Sequence, residues 1–374
     1  MLRYGWVLFF LLLTSGPSWS EPIFKFKGLL QYDTGLLGYS EKSFGLRRAQ
    51  TDFTGTINPA LLYRVNVDFA SGTAALQDAY GDIKIAEHQT LRVGKSRFPG
   101  GLERIQAAGN LLFPEFGLTT FLVPNKDNGF LYIYKTGDAE IDLGLFSGSI
   151  DGGLPDTDSD YGRVYTARVF VHPIATKTET WGVGVGGNIE DRKGSATTSL
   201  LATYRYPGYG TFFSYSTGVF ANGQGYRFIP QTYLYAGPFG LLGEYVLNSQ
   251  AVSNGSTTAN LRNTAWQVYL QWVLTGERAT FDTLIPRSPL REGKGIGAWQ
   301  LGLRYGEIDF DDRSETTFAT TAQATKVQQI GASINWFWTE NVKWVLAADQ
   351  LRITAFTGGE TTALVALIRT QVLF

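Results

Sequence analysis

The sequence predicts an all-β protein: a transmembrane antiparallel β-barrel of sixteen strands with inward-folded loops. Three observations carry this expectation. Apolar and polar residues alternate through strand-length segments from end to end. Aromatic residues gather near segment ends, as Trp336 and Trp338 do. An export leader is followed by no apolar run of the roughly 18 residues that a spanning helix needs. A chain that crosses a membrane without helices has one architecture left, the closed barrel, because lipid offers its backbone no hydrogen bonds. A soluble antiparallel sandwich also alternates. Regular segments of about ten residues, joined by alternating short turns and longer polar loops, favour the membrane.

The leader is 1–20. Arg3 gives the positive start, Val7 to Leu13 is uninterrupted and apolar, and Ser18-Trp19-Ser20 offers small residues for cleavage. Residues 21–374 are then a single transmembrane barrel domain placed in the outer membrane, among its lipids. The formal net charge of −1 argues against a nucleic-acid binder, for which a basic face is expected. Cysteine is absent, which excludes a disulfide framework and a thiolate site.

In order, strands are expected at 22–34, 44–57, 60–71, 75–86, 89–97, 127–136, 139–148 and 162–172. The second half gives 179–190, 225–236, 238–249, 262–274, 297–309, 326–338, 341–353 and 361–374. Segment 63–69 is the clearest: Tyr63, Val65, Val67 and Phe69 share one face, while Arg64, Asn66 and Asp68 share the other. Trp266, Val268, Leu270, Trp272 and Leu274 repeat the pattern later, opposite Gln267, Tyr269 and Gln271. Short turns fall at Asn58-Pro59, Glu87-His88, Gly237-Pro238 and Glu340-Asn341. The chain ends in an alternating strand with terminal Phe374, as barrels of this kind commonly do. Within 191–224, 199–206 and 210–219 could add a hairpin and raise the count to eighteen. Gly-Tyr-Gly interruptions favour a second long loop there. A third irregular stretch, 275–295, falls on the periplasmic side with both termini.

The stretch 98–126 fits neither period. A connection of 29 residues is unusual in a compact domain, and the expectation is that it folds into the barrel mouth as a constriction. Phe98, Leu111, Leu112, Phe113, Phe116, Phe121 and Leu122 make it apolar enough to pack on the wall or on a neighbouring subunit. Its charges before Lys126 are Glu103, Arg104 and Glu115.

Parity places Lys25, Lys27, Arg48, Arg64, Arg92, Arg304, Asp68 and Asp78 on the lumen side. Arg48, Arg64, Arg92, Arg104 and Arg205 are the anion-binding candidates, because their strands and loops flank the constriction. Arginine suits anions through its paired donors. Each could equally be a wall residue paired across strands. Parity sends Arg47 outward, to a rim or an interface. These features predict passive diffusion of small hydrophilic solutes, with anions preferred and a general or weakly selective channel as the alternative.

Several ordered motifs resemble the phosphate-selective porin O and P family: Phe44-Gly45-Leu46-Arg47-Arg48-Ala49, Leu76-Gln77-Asp78-Ala79-Tyr80, Leu91-Arg92-Val93-Gly94-Lys95 and Arg97-Phe98-Pro99-Gly100-Gly101. Gly243-Glu244-Tyr245, Leu274-Thr275-Gly276-Glu277 and Gly297-Ala298-Trp299-Gln300-Leu301 follow at matching intervals. The resemblance implies sixteen strands, a homotrimer, inward loops and an inward line of basic residues that carries phosphate. Arg48 matches the second arginine of the family's pair, and Arg205 stands where basic residues of the second long loop are expected. Leu29 stands where the phosphate channels place an arginine, and 98–126 lacks the lysine expected near the narrowest point.

Other classes are weaker. A barrel hydrolase needs Ser, His and a carboxylate or amide within reach, yet His88 lies in a turn and His172 precedes Pro173. No metal or other cofactor is implied. Asp151, Asp156, Asp158 and Asp160 read as a solvated acidic loop rather than a calcium site. Gly182, Gly184, Gly186 and Gly187 read as strand glycines, and a structural barrel plugged by its loops is the remaining alternative.

Overall fold

The computed structural model describes residues 23–38, 44–156 and 162–374; the expected leader lies outside them, as do Asp158 and Asp160. In order the strands are β1 (Ile23–Leu37), β2 (Phe44–Asn58), β3 (Leu61–Asp68), β4 (Ala75–Ala86), β5 (Gln89–Arg97), β6 (Lys126–Lys135), β7 (Ala139–Phe146), β8 (Arg163–Ala175) and β9 (Glu179–Lys193). They continue as β10 (Tyr204–Tyr206), β11 (Gly210–Phe213), β12 (Phe220–Ala236), β13 (Phe239–Ser253), β14 (Thr258–Val273), β15 (Ala298–Asp309), β16 (Ala324–Phe337), β17 (Val342–Ala355) and β18 (Glu360–Leu373). Sixteen close into one barrel, while β10 and β11 form a separate two-stranded sheet. The eighteen-strand alternative is therefore not realised: the extra hairpin exists, but it stands off the wall.

Alternation sets the two faces. On β14, Leu270 and Trp272 are exposed outward while Gln267 and Tyr269 are buried on the lumen side. An exposed apolar exterior suits hydrocarbon. Trp299, Trp336, Trp338 and Trp344 stack in series at one end, with centroids 4.8, 5.1 and 5.6 Å apart. That end carries both termini and most of the short turns. The glycines of β9 make room for neighbours: a Cβ on Gly182 or Gly184 would lie 2.5 Å from the ring of Phe170.

The seam joins the first strand to the last. Gly28 N–H donates to the Phe374 carbonyl at 2.7 Å and Phe374 N–H returns the bond at 3.1 Å. Five residues deeper, Asp33 lies opposite Arg369, which grips it with two bonds of 2.6 and 2.7 Å. Beside the seam, β2 carries a bulge: Gln31 pairs with Arg48 and Tyr32 with Leu46, so Arg47 is the extra residue. A bulge turns its residue off the alternating pattern. Arg47 consequently bonds Glu115 at 2.7 and 2.8 Å instead of facing outward, which corrects the parity assignment.

The segment between β5 and β6 contains the short helix α1 (Leu102–Ile105) and two single turns. Phe98, Leu111, Phe113, Leu118 and Leu122 are buried. Its polar groups meet lumen-side groups of six consecutive strands. Glu244 accepts from Leu102 N–H at 2.7 Å and from the Thr119 hydroxyl at 2.6 Å. Tyr269 donates to Glu103 at 2.6 Å, and Arg304 to the Glu115 carbonyl at 2.8 Å. Ser333 and Asn335 donate to the Leu112 carbonyl, Lys343 to those of Gly109 and Leu111, and Gln371 to Gly109. The segment thus covers the β13–β18 half of the wall.

Two other connections meet this layer. Between β14 and β15, the Phe281 carbonyl accepts from Gln106 at 2.6 Å, Thr283 donates to Asn110 at 2.6 Å, and the Phe281 ring stacks on Tyr233 at 5.4 Å. The sequence reading placed this stretch at the terminus-bearing end without expecting it to reach the lumen side. From the other end comes the β10–β11 hairpin. Tyr206 donates to Asp349 at 3.0 Å and accepts from Arg304 at 2.7 Å, while Tyr204 donates to Asp151 at 3.0 Å.

Candidate functional site

Three cavities follow one another along the half of the lumen that these segments leave uncovered. The largest, about 870 Å³, opens toward the turn end and is lined by Tyr80, Asp82, Arg92, Phe98 and Arg168 among others. It shares Arg64, Asp78, Arg97 and Gln106 with a central cavity of about 320 Å³. The central one shares Arg47, Arg104, Phe116 and Gly152 with an upper cavity of about 340 Å³, where Tyr204 and Arg205 from β10 appear.

The central cavity concentrates charge of one sign. Arg47, Arg48, Arg64, Arg97, Arg104 and Lys126 line it against two carboxylates, Asp68 and Asp78. The bulge on β2 brings Arg47 and Arg48 to the same side. Arg64 follows from plain alternation on β3. Arg97 and Lys126 face each other across β5 and β6, although parity would send both outward. On β5 the backbone departs from regular strand geometry at Gly94. It has φ 125, a conformation that side-chain-bearing residues rarely adopt, and beyond it Lys95 is buried and Arg97 enters the cavity.

Some of these cations are already paired. Asp52 takes two bonds from Arg64 at 2.8 and 3.0 Å, and Asp78 holds Lys126 at 2.8 Å. In the largest cavity, Arg92 is bidentate to Asp82, and Arg168 sits between Glu140 and Asp142. Three central arginines are different. Arg48 donates to Gln31 at 2.6 Å, Arg97 to the Ile105 carbonyl and Arg104 to the Thr120 carbonyl. Among the described residues none of the three forms an ion pair with a carboxylate, and the buried Nε of Arg104 has no hydrogen-bond partner. Holding a buried charge without a counter-charge is costly, so the cavity is poised for an anion. Burial pushes the Arg104 guanidinium down to about 10, which still leaves it charged at neutral pH.

The acids of the long segment are occupied elsewhere. Burial pushes the Glu103 carboxyl up despite its bonds to Tyr269, Gln267 and Gly117 N–H. Glu115 is also buried, but Arg47 and Arg369 hold it well below the usual carboxylate range. Both acids anchor the segment to the wall; Glu115 also lines the upper cavity, where it is held by Arg47, and of the three only Arg104 reaches the central one.

The expected residues separate accordingly. Arg48, Arg64, Arg104, Asp68 and Asp78 meet at the central cavity, Arg92 lines the largest and Arg205 the upper one. Lys25 and Lys27 are exposed near the terminus-bearing end and line none of the three. Arg304 faces the lumen side as expected but lines none of the three cavities: Phe113 and Glu115 lie against it, and it bonds Asp349, Tyr206 and the Glu115 carbonyl. Asp151 is not a solvated loop acid either. It accepts from Arg227 at 2.6 Å and Asn248 at 2.9 Å inside the barrel. Arg47, Arg97 and Lys126 escaped the sequence reading; Gly94 inside a strand was the available signal for Arg97.

A model described as phosphate-selective porin O and P matches residues 24–374. The chain belongs to that family. This porin is an outer-membrane β-barrel, as the sequence led one to expect. Its fold is similar to the outer membrane channel DcaP of Acinetobacter baumannii, with TM-score 0.63, 12% identity, and coverage of 94% of this chain and 97% of that one. An anion-selective porin from Comamonas acidovorans gives TM-score 0.58 at 9% identity, covering 95% and 100%. The trimer form of in-vitro folded OmpT of Vibrio cholerae gives 0.56 at 12%, covering 95% and 100%. No curated protein sequence matches the chain.

Proposed function

We propose that this porin lets small anions, phosphate among them, diffuse passively across the outer membrane along the three cavities, with the 98–126 segment as the constriction. The observation that carries the reading is the set of three arginines, buried Arg48 and Arg104 and half-buried Arg97, that face the central cavity without carboxylate partners. Low-dielectric walls around charges of one sign focus the field on passing ions. The wall arginines paired to Asp52 and Asp82 add hydrogen-bonding surface but little net charge. A homotrimer is the expected assembly, supported by the trimeric relative in fold, and 1–20 is expected to be removed on export. The reading has no place for catalysis: His172 bonds the Tyr233 hydroxyl at 2.7 Å, and His88 stands beside Glu87 in a turn.

Reversal potentials across a planar bilayer in a KCl gradient test the reading. The expected result is a permeability ratio favouring chloride. A clear cation preference would refute the anion path, and absence of conductance would refute the channel.

A further inference from the structure

The upper cavity differs chemically from the two that follow it. Arg47, Arg104 and Arg205 contribute guanidinium groups, the carboxylates of the lining are held by Arg47 (Glu115) and Arg227 (Asp151), and Phe116, Phe121 and Ile150 stand among them. Phe116 belongs to both the upper and the central cavity, so its ring stands where the path passes from one to the other. Gly152, at the same junction, offers no side chain. The Arg104 guanidinium carbon lies 5.0 Å from the Phe116 ring centroid, and Phe121 is held edge-on to Phe212 at 5.5 Å. Charge and aromatic surface are therefore presented side by side.

A strongly hydrated inorganic anion gains attraction here but must shed water against apolar groups. An anion with a planar apolar body meets both surfaces at once. Its carboxylate accepts the parallel donors of an arginine, and its ring packs offset or edge-on against phenylalanine. The volume of about 340 Å³ is at the lower end of the roughly 300–1,000 Å³ of small-molecule sites. We propose that the upper cavity is a selectivity site for small aromatic carboxylates and that Phe116 is its specificity-determining residue. The proposal rests on the anion-channel reading above and names the solute class for the same path.

The test compares benzoate with acetate as blockers of chloride current through the full mature protein in planar bilayers. The two carry the same head group and differ in the ring. Benzoate is expected to block at a roughly threefold to tenfold lower concentration, the range that one aromatic contact supplies. F116A and F116L should erase the difference and F116Y should retain it; the leucine and tyrosine variants answer the question if the alanine variant does not insert. Equal block by the two anions, or a difference that survives both F116A and F116L, overturns the proposal. Reversal potentials of the wild type on the same membranes separate the two levels. Cation preference there defeats the anion path itself, whereas anion preference with equal block defeats only the assignment to aromatic carboxylates.

Discussion

Replacing Arg104 by methionine removes a charge from the central cavity while keeping most of the side-chain volume. Treated as a sphere, a cavity of about 320 Å³ has a radius near ~4 Å, which puts a wall charge about 5 Å from an ion at the centre. At a water-like dielectric constant that charge is worth about 0.8 kcal/mol to the ion, and several times more at the lower values of a protein surface. An anion loses this attraction and a cation is relieved of an equal repulsion. The chloride-to-potassium permeability ratio should therefore fall roughly tenfold or more. The assay is the reversal potential in a KCl gradient near ~0.1 M, because at 1 M the screening length of about 3 Å would hide the effect. K27M serves as the comparison, since Lys27 lines none of the three cavities. A change under twofold in R104M, or an equal change in K27M, would refute the assignment of Arg104 to the path.

Four further outcomes are expected. E115Q removes the carboxylate shared by Arg47 and Arg369; since Asp33 still pairs Arg369, the loss should be about 2–4 kcal/mol by urea unfolding in detergent, toward the lower side of the cost of breaking a buried pair. The pH dependence has a definite sign. Glu115 titrates below the ordinary range in the fold, so its contribution is fully present above the unfolded value and is lost progressively as pH falls from there through the depressed one. The gap between wild type and E115Q should then stay constant from about pH 7 to about pH 5.5 and narrow gradually below that; a gap already closed at pH 5 would contradict the ion pairs. Y206F breaks the hydroxyl's bonds to Asp349, Arg304 and Gln329 and should cost about 1–3 kcal/mol, read as faster proteolysis of the 194–219 connection in the intact barrel. G94A places a Cβ 2.3 Å from the Ala79 carbonyl oxygen at φ 125; it should lower refolding yield and shift ion selectivity together, because Arg97 depends on that backbone turn.

The wall was legible in the sequence because the membrane imposes a period of two on every strand. Trp266 to Val273 could face only one way, and the sixteen predicted segments match the barrel strands closely. What escaped were the places where the period breaks. Arg47 was misassigned because a bulge adds one residue to β2, and Arg97 lies beyond Gly94, whose φ of 125 departs from regular strand geometry near the end of β5. Roles within 98–126 were hidden for another reason: charge counting treats Glu103, Arg104 and Glu115 alike. The fold gives both acids to tyrosine, amide and arginine partners, and of the three only Arg104 lines the central cavity. Likewise, nothing in the local pattern of 275–297 announces that Phe281 will lie against Tyr233, since that contact depends on strands far away in the chain.

Arg369 links two events in the making of this molecule. One guanidinium on the last strand receives Asp33 from the first strand and Glu115 from the middle of the chain. The ring cannot be joined at that level without preparing the seat of the loop, and the loop cannot be fully seated until the strand bearing Arg369 has arrived. A barrel with its two edges still apart lacks this shared lock. Residues 33, 115 and 369 therefore report, in one place, that the beginning, middle and end of the chain have come together.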